Sequence, residues 1–322
     1  MNNSSKKKLL IDMIRFREVE KKIQSEYGLQ EMRCPIHLSI GQEAISAGIS
    51  NNLIKKDKVL SAHRSHFHYL GKGGSLKKMI SEFYGKESGC AMGLGGSMHL
   101  IDLSNNFLAA VPIVGSTLPI GIGIAWANKL KKLNNIVTVI YFGDGATEEG
   151  AFYESLNFAS LFNLNVLFIC ENNFFSVYSN ILKRRSDKTS ITKIAEAHNI
   201  KSIKMNGNYC EDIFLKSKEI ISEMRKKTKP FLIEFETYRH TEHCGPNYDD
   251  ILNYREKKEV DYWLNLDPIK IYKKKLFKEK IINKKELDKK VRIIRNEITE
   301  AFNFAKKSKY PNKDILKKLS YS

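Results

Sequence analysis

The sequence predicts an α/β protein with a largely parallel sheet flanked by helices and a helical C-terminal region. Three observations carry this. Apolar, β-branched runs lie near 136–142, 165–170, 200–205 and 231–237, with helical spacing between them, as expected of strands joined by crossover helices. Most of the glycines fall in 61–245, where such crossovers turn. Beyond about 250, Ile, Leu and Phe alternate with lysine at helical spacing, as in "KKELDKKVRIIRNEITEAFNFAKK".

Taken in order, residues 1–60 are expected to be mostly helical, with Leu9, Met13, Phe16, Ile23 and Tyr27 on one face. Asp12 and Arg15 interrupt any signal-peptide core there. Residues 61–245 form the predicted core and 246–322 a basic helical region. No repeat, low-complexity block or Pro/Gly-rich linker separates them, so 1–322 is read as a single domain, long enough to bury a large core.

The net charge of +18 raises the question of nucleic acid. Residues 270–322 hold 18 Lys/Arg and 6 Asp/Glu, so 12 of the 18 net charges sit in a tail with amphipathic spacing. A solvated lysine face explains that pattern, and no zinc-finger spacing or RNA-recognition aromatic motif accompanies it. Neither a nucleic-acid nor a membrane partner is therefore expected; no run approaches the roughly 18 apolar residues of a spanning helix. Cys34, Cys90, Cys170, Cys210 and Cys244 are far apart with no C-x-x-C pair, which argues against a disulfide framework or zinc site and fits a cytoplasmic location.

The stretch "IYFGDGATEEG" (140–150) is where chemistry concentrates. An apolar run drives into Gly143-Asp144-Gly145. A helix then follows, with Thr147 suited to its N-cap, Glu148 and Glu149 to its first turn, and Phe152, Leu156 and Ala159 on one face. The next strand delivers "ENN", placing Asn173 29 residues after Asp144, the length of one βαβ unit. Adjacent parallel strands lie roughly 5 Å apart, so a carboxylate and an amide oxygen could converge on one hard cation such as Mg2+, which keeps phosphate oxygens as further ligands. A structural turn explains Asp144 equally well on spacing alone. No G-x-x-x-x-G-K-[ST] run is present.

"GDG" followed by about thirty residues and "NN" resembles the thiamine-diphosphate-binding motif. The flanking segments "HLSIGQEA" (37–44), "AHRSH" (62–66), "GCAMGLGGSMH" (89–99), "VGSTLPIGIGIA" (114–125), "FGDGATEEG" (142–150), "FICENN" (168–173) and "TYRHTEHCGP" (237–246) are similar, in order, to the alpha subunits of heterotetrameric 2-oxo-acid dehydrogenases, of pyruvate, branched-chain and acetoin types.

That resemblance implies a thiamine-diphosphate-binding fold, with thiamine diphosphate and Mg2+ as cofactors and 61–245 as the cofactor-binding core. It makes Asp144, Asn173 and the carbonyl of Phe175 the metal ligands, and sets the N–H groups of Gly145 and Ala146 against the diphosphate. Arg64 matches the diphosphate-binding arginine, His63 stands where relatives commonly have tyrosine, and Val114 in "PIVG" is the expected aminopyrimidine contact. His243 matches the active-site histidine; His37 and His66 match histidines near the substrate. His68 and His99 are read as structural. Pro112, Glu242 and Cys244 depart from the glycine, small residue and serine usual in relatives.

The implied function is the alpha half of an α2β2 first component that oxidatively decarboxylates a 2-oxo acid, or cleaves acetoin, and passes the acyl group to a lipoyl acyltransferase component. The beta subunit would supply the activating glutamate. The altered 242–247 loop leaves open a non-oxidative thiamine-dependent lyase or transferase; a non-catalytic basic scaffold is the third alternative.

Overall fold

A computed structural model describes residues 1–249 and 252–315. Eight strands are present among them: β1 (Lys58–Ser61), β2 (Phe107–Ala110), β3 (Thr138–Gly143), β4 (Val166–Asn172), β5 (Phe175–Ser176), β6 (Ser179–Asn180), β7 (Lys201–Asn206) and β8 (Phe231–Glu236). Six of them form one sheet in the order β2-β1-β3-β4-β8-β7, every pair parallel. β5 and β6 make a small antiparallel ribbon. The strands β3, β4, β7 and β8 coincide with the four predicted runs.

β3 and β4 read as continuous apolar runs because both their faces are covered. One face packs on a core of Val139, Tyr141, Leu167 and Ile169 with the N- and C-terminal helices. The other packs on Phe142, Phe152, Leu156, Ala159 and Phe168 beneath helices Thr117–Leu130 and Gly150–Leu161. The 25-residue helix Asn3–Tyr27 buries the predicted face through Leu9, Met13, Phe16 and Ile23, with Tyr27 half-buried at its end.

The basic C-terminal region is helical and amphipathic, as expected, over Lys257–Asn265, Pro268–Lys278 and Lys284–Lys307. The last helix buries Leu287, Ile294, Ile298, Ala301, Phe302 and Ala305 in the same core as the N-terminal helix. Ion pairs Lys7–Glu286, Arg15–Glu297 and Lys306–Glu26 line that seam. Residues 250–251 and 316–322 of the predicted C-terminal region lie outside the described residues.

Two expectations need correction. Strand β1 begins at Lys58, inside the region read as helical. Thr147 is not the cap of the helix after Asp144: a 3-10 turn, Asp144–Glu148, comes first and the α-helix runs from Gly150 with Glu149 as its cap residue. The Thr147 hydroxyl donates instead to the carbonyl of Asp144 at 2.6 Å, tightening the turn that carries the carboxylate.

Candidate active site

Strands β1, β3, β4 and β8 point their carboxyl ends the same way. The segments that follow them enclose a cavity of about 210 Å³, the position where parallel sheets hold ligands. Asp144, Gly145 and Ala146 enter it after β3, Asn173 and Phe175 after β4, His63 and Arg64 after β1, and His243 on the segment after β8. His37 and Val114 complete the set of predicted residues on its wall.

One end of the cavity is an oxygen set. The β3–β4 register pairs Gly143 with Glu171, which leaves Asp144 and Asn173 just beyond two hydrogen-bonded neighbours. Of the two asparagines, Asn173 faces the cavity. Asn172 is turned away, donating to Glu234 at 2.8 Å and accepting from the N–H of Phe174. Phe174 and Val177 hold φ of +68° and +54°; for a β-branched valine that is an uncommon conformation, and it folds the β5–β6 ribbon over the site. Gly145 suits this fold-over, since a Cβ there would lie 2.9 Å from the Ser176 hydroxyl oxygen and 3.3 Å from its Cβ, whereas a Cβ on Gly143 meets nothing within 4 Å.

The Asp144 carboxylate is buried, and burial pushes its pKa up against the opposing pull of Arg184. Arg184 hydrogen-bonds both Asp144 and Glu148, and so stands as the cation on a carboxylate that would otherwise be buried alone. Sequence reading missed Arg184, which lies 40 residues along the chain on a different element.

Arg64 makes the opposite case. It is 8% exposed, donates to the carbonyls of Leu38 and His243, the latter at 3.0 Å, and has no carboxylate partner among the described residues. Burial, and then the charge of Arg239, lower it to about 10. A guanidinium has five donors, so most remain for something else. A buried, unpaired cation on a cavity wall fits an anion from solution. Together with the oxygen set, this chemistry fits a metal-bound diphosphate.

The remaining end is lined by histidine. His37, His63 and His243 converge from three segments, with ring centroids 4.7 to 5.5 Å apart. Burial first, and Arg64 second, hold them far below the ordinary imidazole value, His37 at about 2, His63 at about 3 and His243 at about 4. All three are neutral at pH 7, so His243 is a lone-pair donor in this state rather than a group titrating near neutrality.

Two other histidines exchange roles relative to expectation. His66 does not reach the cavity. It is fully buried, with Nδ1 on Glu20 at 2.9 Å and Nε2 on the Ser97 hydroxyl at 2.8 Å, so both nitrogens are occupied by the scaffold. His68, read as structural, lines the cavity between Ser61 at 2.8 Å and Glu171 at 3.1 Å and stacks on Tyr141. Its partner Glu171 is 103 residues away, beyond the reach of spacing arguments. His99 bonds the Gly95 carbonyl at 2.7 Å, outside the cavity.

The loop that departs most from the family pattern is internally closed. Glu242 accepts from the N–H of Asn247 at 2.7 Å and packs against Gly245, whose φ is +126°. The Gly245 N–H donates to the Ile36 carbonyl at 2.8 Å, tying the His243 segment to the His37 segment. Cys244 points outward and is exposed.

Beside the cavity, Ile113 and Val114 are 69% and 45% exposed, and helix Thr117–Leu130 adds exposed Ile120 and Leu130. Gly123, on the same helix, has no atom within 4 Å of where a Cβ would sit. Apolar side chains around an open glycine form a surface suited to close packing by another chain.

Residues 11–314 match the family described as dehydrogenase E1 component. The pyruvate dehydrogenase E1 component subunit alpha of Rickettsia bellii (strain RML369-C) is 33% identical over 305 residues, 95% of this chain and 92% of that one. Its counterpart from Porphyra purpurea is 32% identical over 329 residues, covering 99% and 94%. The chloroplastic subunit alpha-3 of Arabidopsis thaliana is 34% identical over 310 residues, covering 95% and 72%.

Proposed function

The chain belongs to the dehydrogenase E1 component family, among the alpha subunits of thiamine-diphosphate-dependent 2-oxo-acid dehydrogenases, and from that premise we propose that it is the alpha half of a pyruvate dehydrogenase-type first component. It binds thiamine diphosphate and Mg2+, decarboxylates a 2-oxo acid, pyruvate before others, and delivers the acyl group to the lipoyl group of an acyltransferase partner. The observation that carries this is the pairing, across one cavity, of the Asp144/Asn173 oxygen set with the unpaired guanidinium of Arg64. An oxygen-ligated cation and a fixed cation facing the same space suit a diphosphate bridged by Mg2+.

Each residue's task follows from its place. Asp144, the Asn173 amide and the Phe175 carbonyl would hold the metal, with Arg184 withdrawing from Asp144 as it arrives. Arg64 and the N–H groups of Gly145 and Ala146 would hold the diphosphate. Thiamine diphosphate supplies the carbanion chemistry that cleaves the bond beside a keto carbonyl. His243, neutral with its lone pair free, accepts and returns a proton at the substrate oxygen. An anion bound against Arg64 would offset part of the charge on His243, whose pKa is lowered first by burial and then by Arg64 and Arg239. His63 and Val114 would bound the cofactor, and His37 the substrate.

The carboxylate that activates the far end of the cofactor belongs, in this proposal, to a beta subunit seated on the exposed surface around Ile113 and Ile120. The assembly proposed is the α2β2 form that the resemblance implies, within which 1–322 acts as a single unit in the cytoplasm. No described helix is long and apolar enough to cross a membrane.

The test is co-expression with a beta-like partner and assay across a panel of 2-oxo acids plus acetoin. Lipoyl-dependent acyl transfer, with NADH formation once a lipoyl acyltransferase, a dihydrolipoyl dehydrogenase, coenzyme A and NAD+ are supplied, supports the proposal. Turnover that yields a released aldehyde or a carbon–carbon ligation product, with lipoyl untouched, would make the enzyme non-oxidative instead.

A further inference from the structure

The histidine end of the cavity brings together three rings that the proposed chemistry uses one at a time, and nothing in that chemistry requires them to converge. One nitrogen from each of His37, His63 and His243 can be chosen so that all three lie within 4.8 Å of one another. The rings arrive on separate segments: the loop before the helix Glu43–Ser50, the end of β1, and the stretch after β8. His37 is 7% exposed and its Nδ1 has no hydrogen-bond partner, an uncommon condition for a buried polar atom. No ring nitrogen of the three bonds to a carboxylate, hydroxyl or carbonyl among the described residues, unlike His66 and His68, whose nitrogens are both engaged.

We propose that His37, His63 and His243 form a second metal site, a three-imidazole centre for a borderline divalent cation of the Zn2+ type, within the cavity whose other end carries the oxygen ligands. Zn2+ takes imidazole nitrogens at about 2.0–2.1 Å in tetrahedral geometry, which sets the nitrogens about 3.3 Å apart. Closing the observed spacing requires each nitrogen to move by less than about 1 Å, within the reach of ring rotation. The fourth position opens on the cavity, which all three residues line.

The two ends of the cavity therefore select different ions. Carboxylate and amide oxygens suit Mg2+, whereas neutral imidazole suits Zn2+, Co2+, Ni2+ or Cu2+. Arg64, close to all three rings, sharpens this selection. Its charge opposes any cation held by electrostatics alone, so only a metal that forms strong bonds to imidazole overcomes it. An ion there ties up the lone pair of His243 and fills the space beside it. Occupancy is thus inhibitory, and excess Mg2+ does not relieve it. The site requires a histidine at position 63, and a tyrosine there leaves only two imidazoles.

The experiment titrates the purified, metal-stripped full-length chain with Co2+, followed by its visible absorption, and then displaces Co2+ with Zn2+. The expected result is one equivalent of Co2+ with the intense bands of a few-coordinate nitrogen site. His63→Tyr and His243→Asn, each confirmed as folded by circular dichroism, are expected to weaken it at least about tenfold. Asp144→Ala should leave it unchanged. The proposal is overturned if the wild-type chain shows no such bands, if both histidine variants bind as the wild type does, or if Asp144→Ala abolishes binding. Its ligands are not those of the Mg2+ site. Failure here would leave Mg2+-dependent cofactor binding intact, and loss of cofactor binding in Asp144→Ala would leave the Co2+ bands intact.

Discussion

Two glycine-rich stretches, 89–96 and 143–145, look alike in sequence and differ in what they surround. In the first, the N–H groups of Ala91, Gly93, Gly95 and Gly96 all donate to the carboxylate of Glu82, at 2.7 to 3.0 Å. Gly93 and Gly96 are in left-handed conformations, and a Cβ on Gly93 would lie 2.5 Å from the backbone of Gly85. That loop is an anion cradle with its anion built into the chain. The second stretch lies open to a cavity that the unpaired Arg64 also lines, and there the anion has to come from outside. A run of glycines shows that backbone will approach something closely; only the surrounding charges tell whether that something is the protein itself.

Removing the built-in anion should have the largest effect. Glu82→Ala strands four partly buried donors, and the expected cost is about 2–4 kcal/mol of stability. Chemical denaturation measures it, and a variant as stable as the wild type would show that the loop does not depend on Glu82. Removing the waiting cation should act on binding. Arg64→Gln is expected to weaken pyrophosphate or thiamine diphosphate binding about 10–100-fold, the worth of a charged hydrogen-bonding group, with a much smaller change in stability. Equal affinity in that variant would mean that the diphosphate sits elsewhere.

A smaller effect separates the two glycines that flank Asp144. Gly145→Ala makes the Ser176 side chain rotate or yield by a few tenths of an ångström and should cost about 1 kcal/mol with weaker cofactor binding, while Gly143→Ala stays within about 0.5 kcal/mol. Reversed costs would contradict the close packing of Gly145 on Ser176.

The smallest is a change of slope with pH. His37, His63, His240 and His243 are held below the ordinary imidazole value, chiefly by burial. The unfolded chain takes up protons at these positions near pH 6.5 while the folded chain does not. Their contribution is therefore complete above about 6.5 and is lost as pH falls toward 4. The raised carboxyls of Glu20, Asp144 and Glu234 work in the opposite direction, so the informative comparison is between variants. His63→Tyr should lose Tm less steeply than the wild type between pH 6.5 and 5. Parallel slopes would argue that His63 is protonated alike in both states.

What could be read from the sequence follows from how local each signal is. β3, β4, β7 and β8 stand out because their apolar, β-branched runs are long enough to mark a covered strand. β1, "KVLS", and β2, "FLAA", have four residues each and offer no such run. One βαβ unit set Asp144 and Asn173 at neighbouring strand ends, but spacing alone left a structural turn as good a reading, and it was the resemblance that made them a metal pair. Arg184, Glu171 and the task of Glu82 could not be read, because their partners are brought together by the tertiary fold. Thr147 has the chemistry of a cap, but the 3-10 turn that Asp144 opens displaces the helix start beyond it. His66 and His68 are two residues apart on one short helix, yet one faces Glu20 in the core and the other the cavity. Composition could not distinguish them.

The central claim is that Asp144 is one arm of a metal clamp for an external diphosphate. Calorimetric titration of thiamine diphosphate into the chain assembled with a beta partner, with and without Mg2+, tests it most directly. The account predicts Mg2+-dependent binding that falls by about 100-fold or more in Asp144→Ala, and binding that is undiminished in Asp144→Ala, or indifferent to Mg2+ in the wild type, would contradict it.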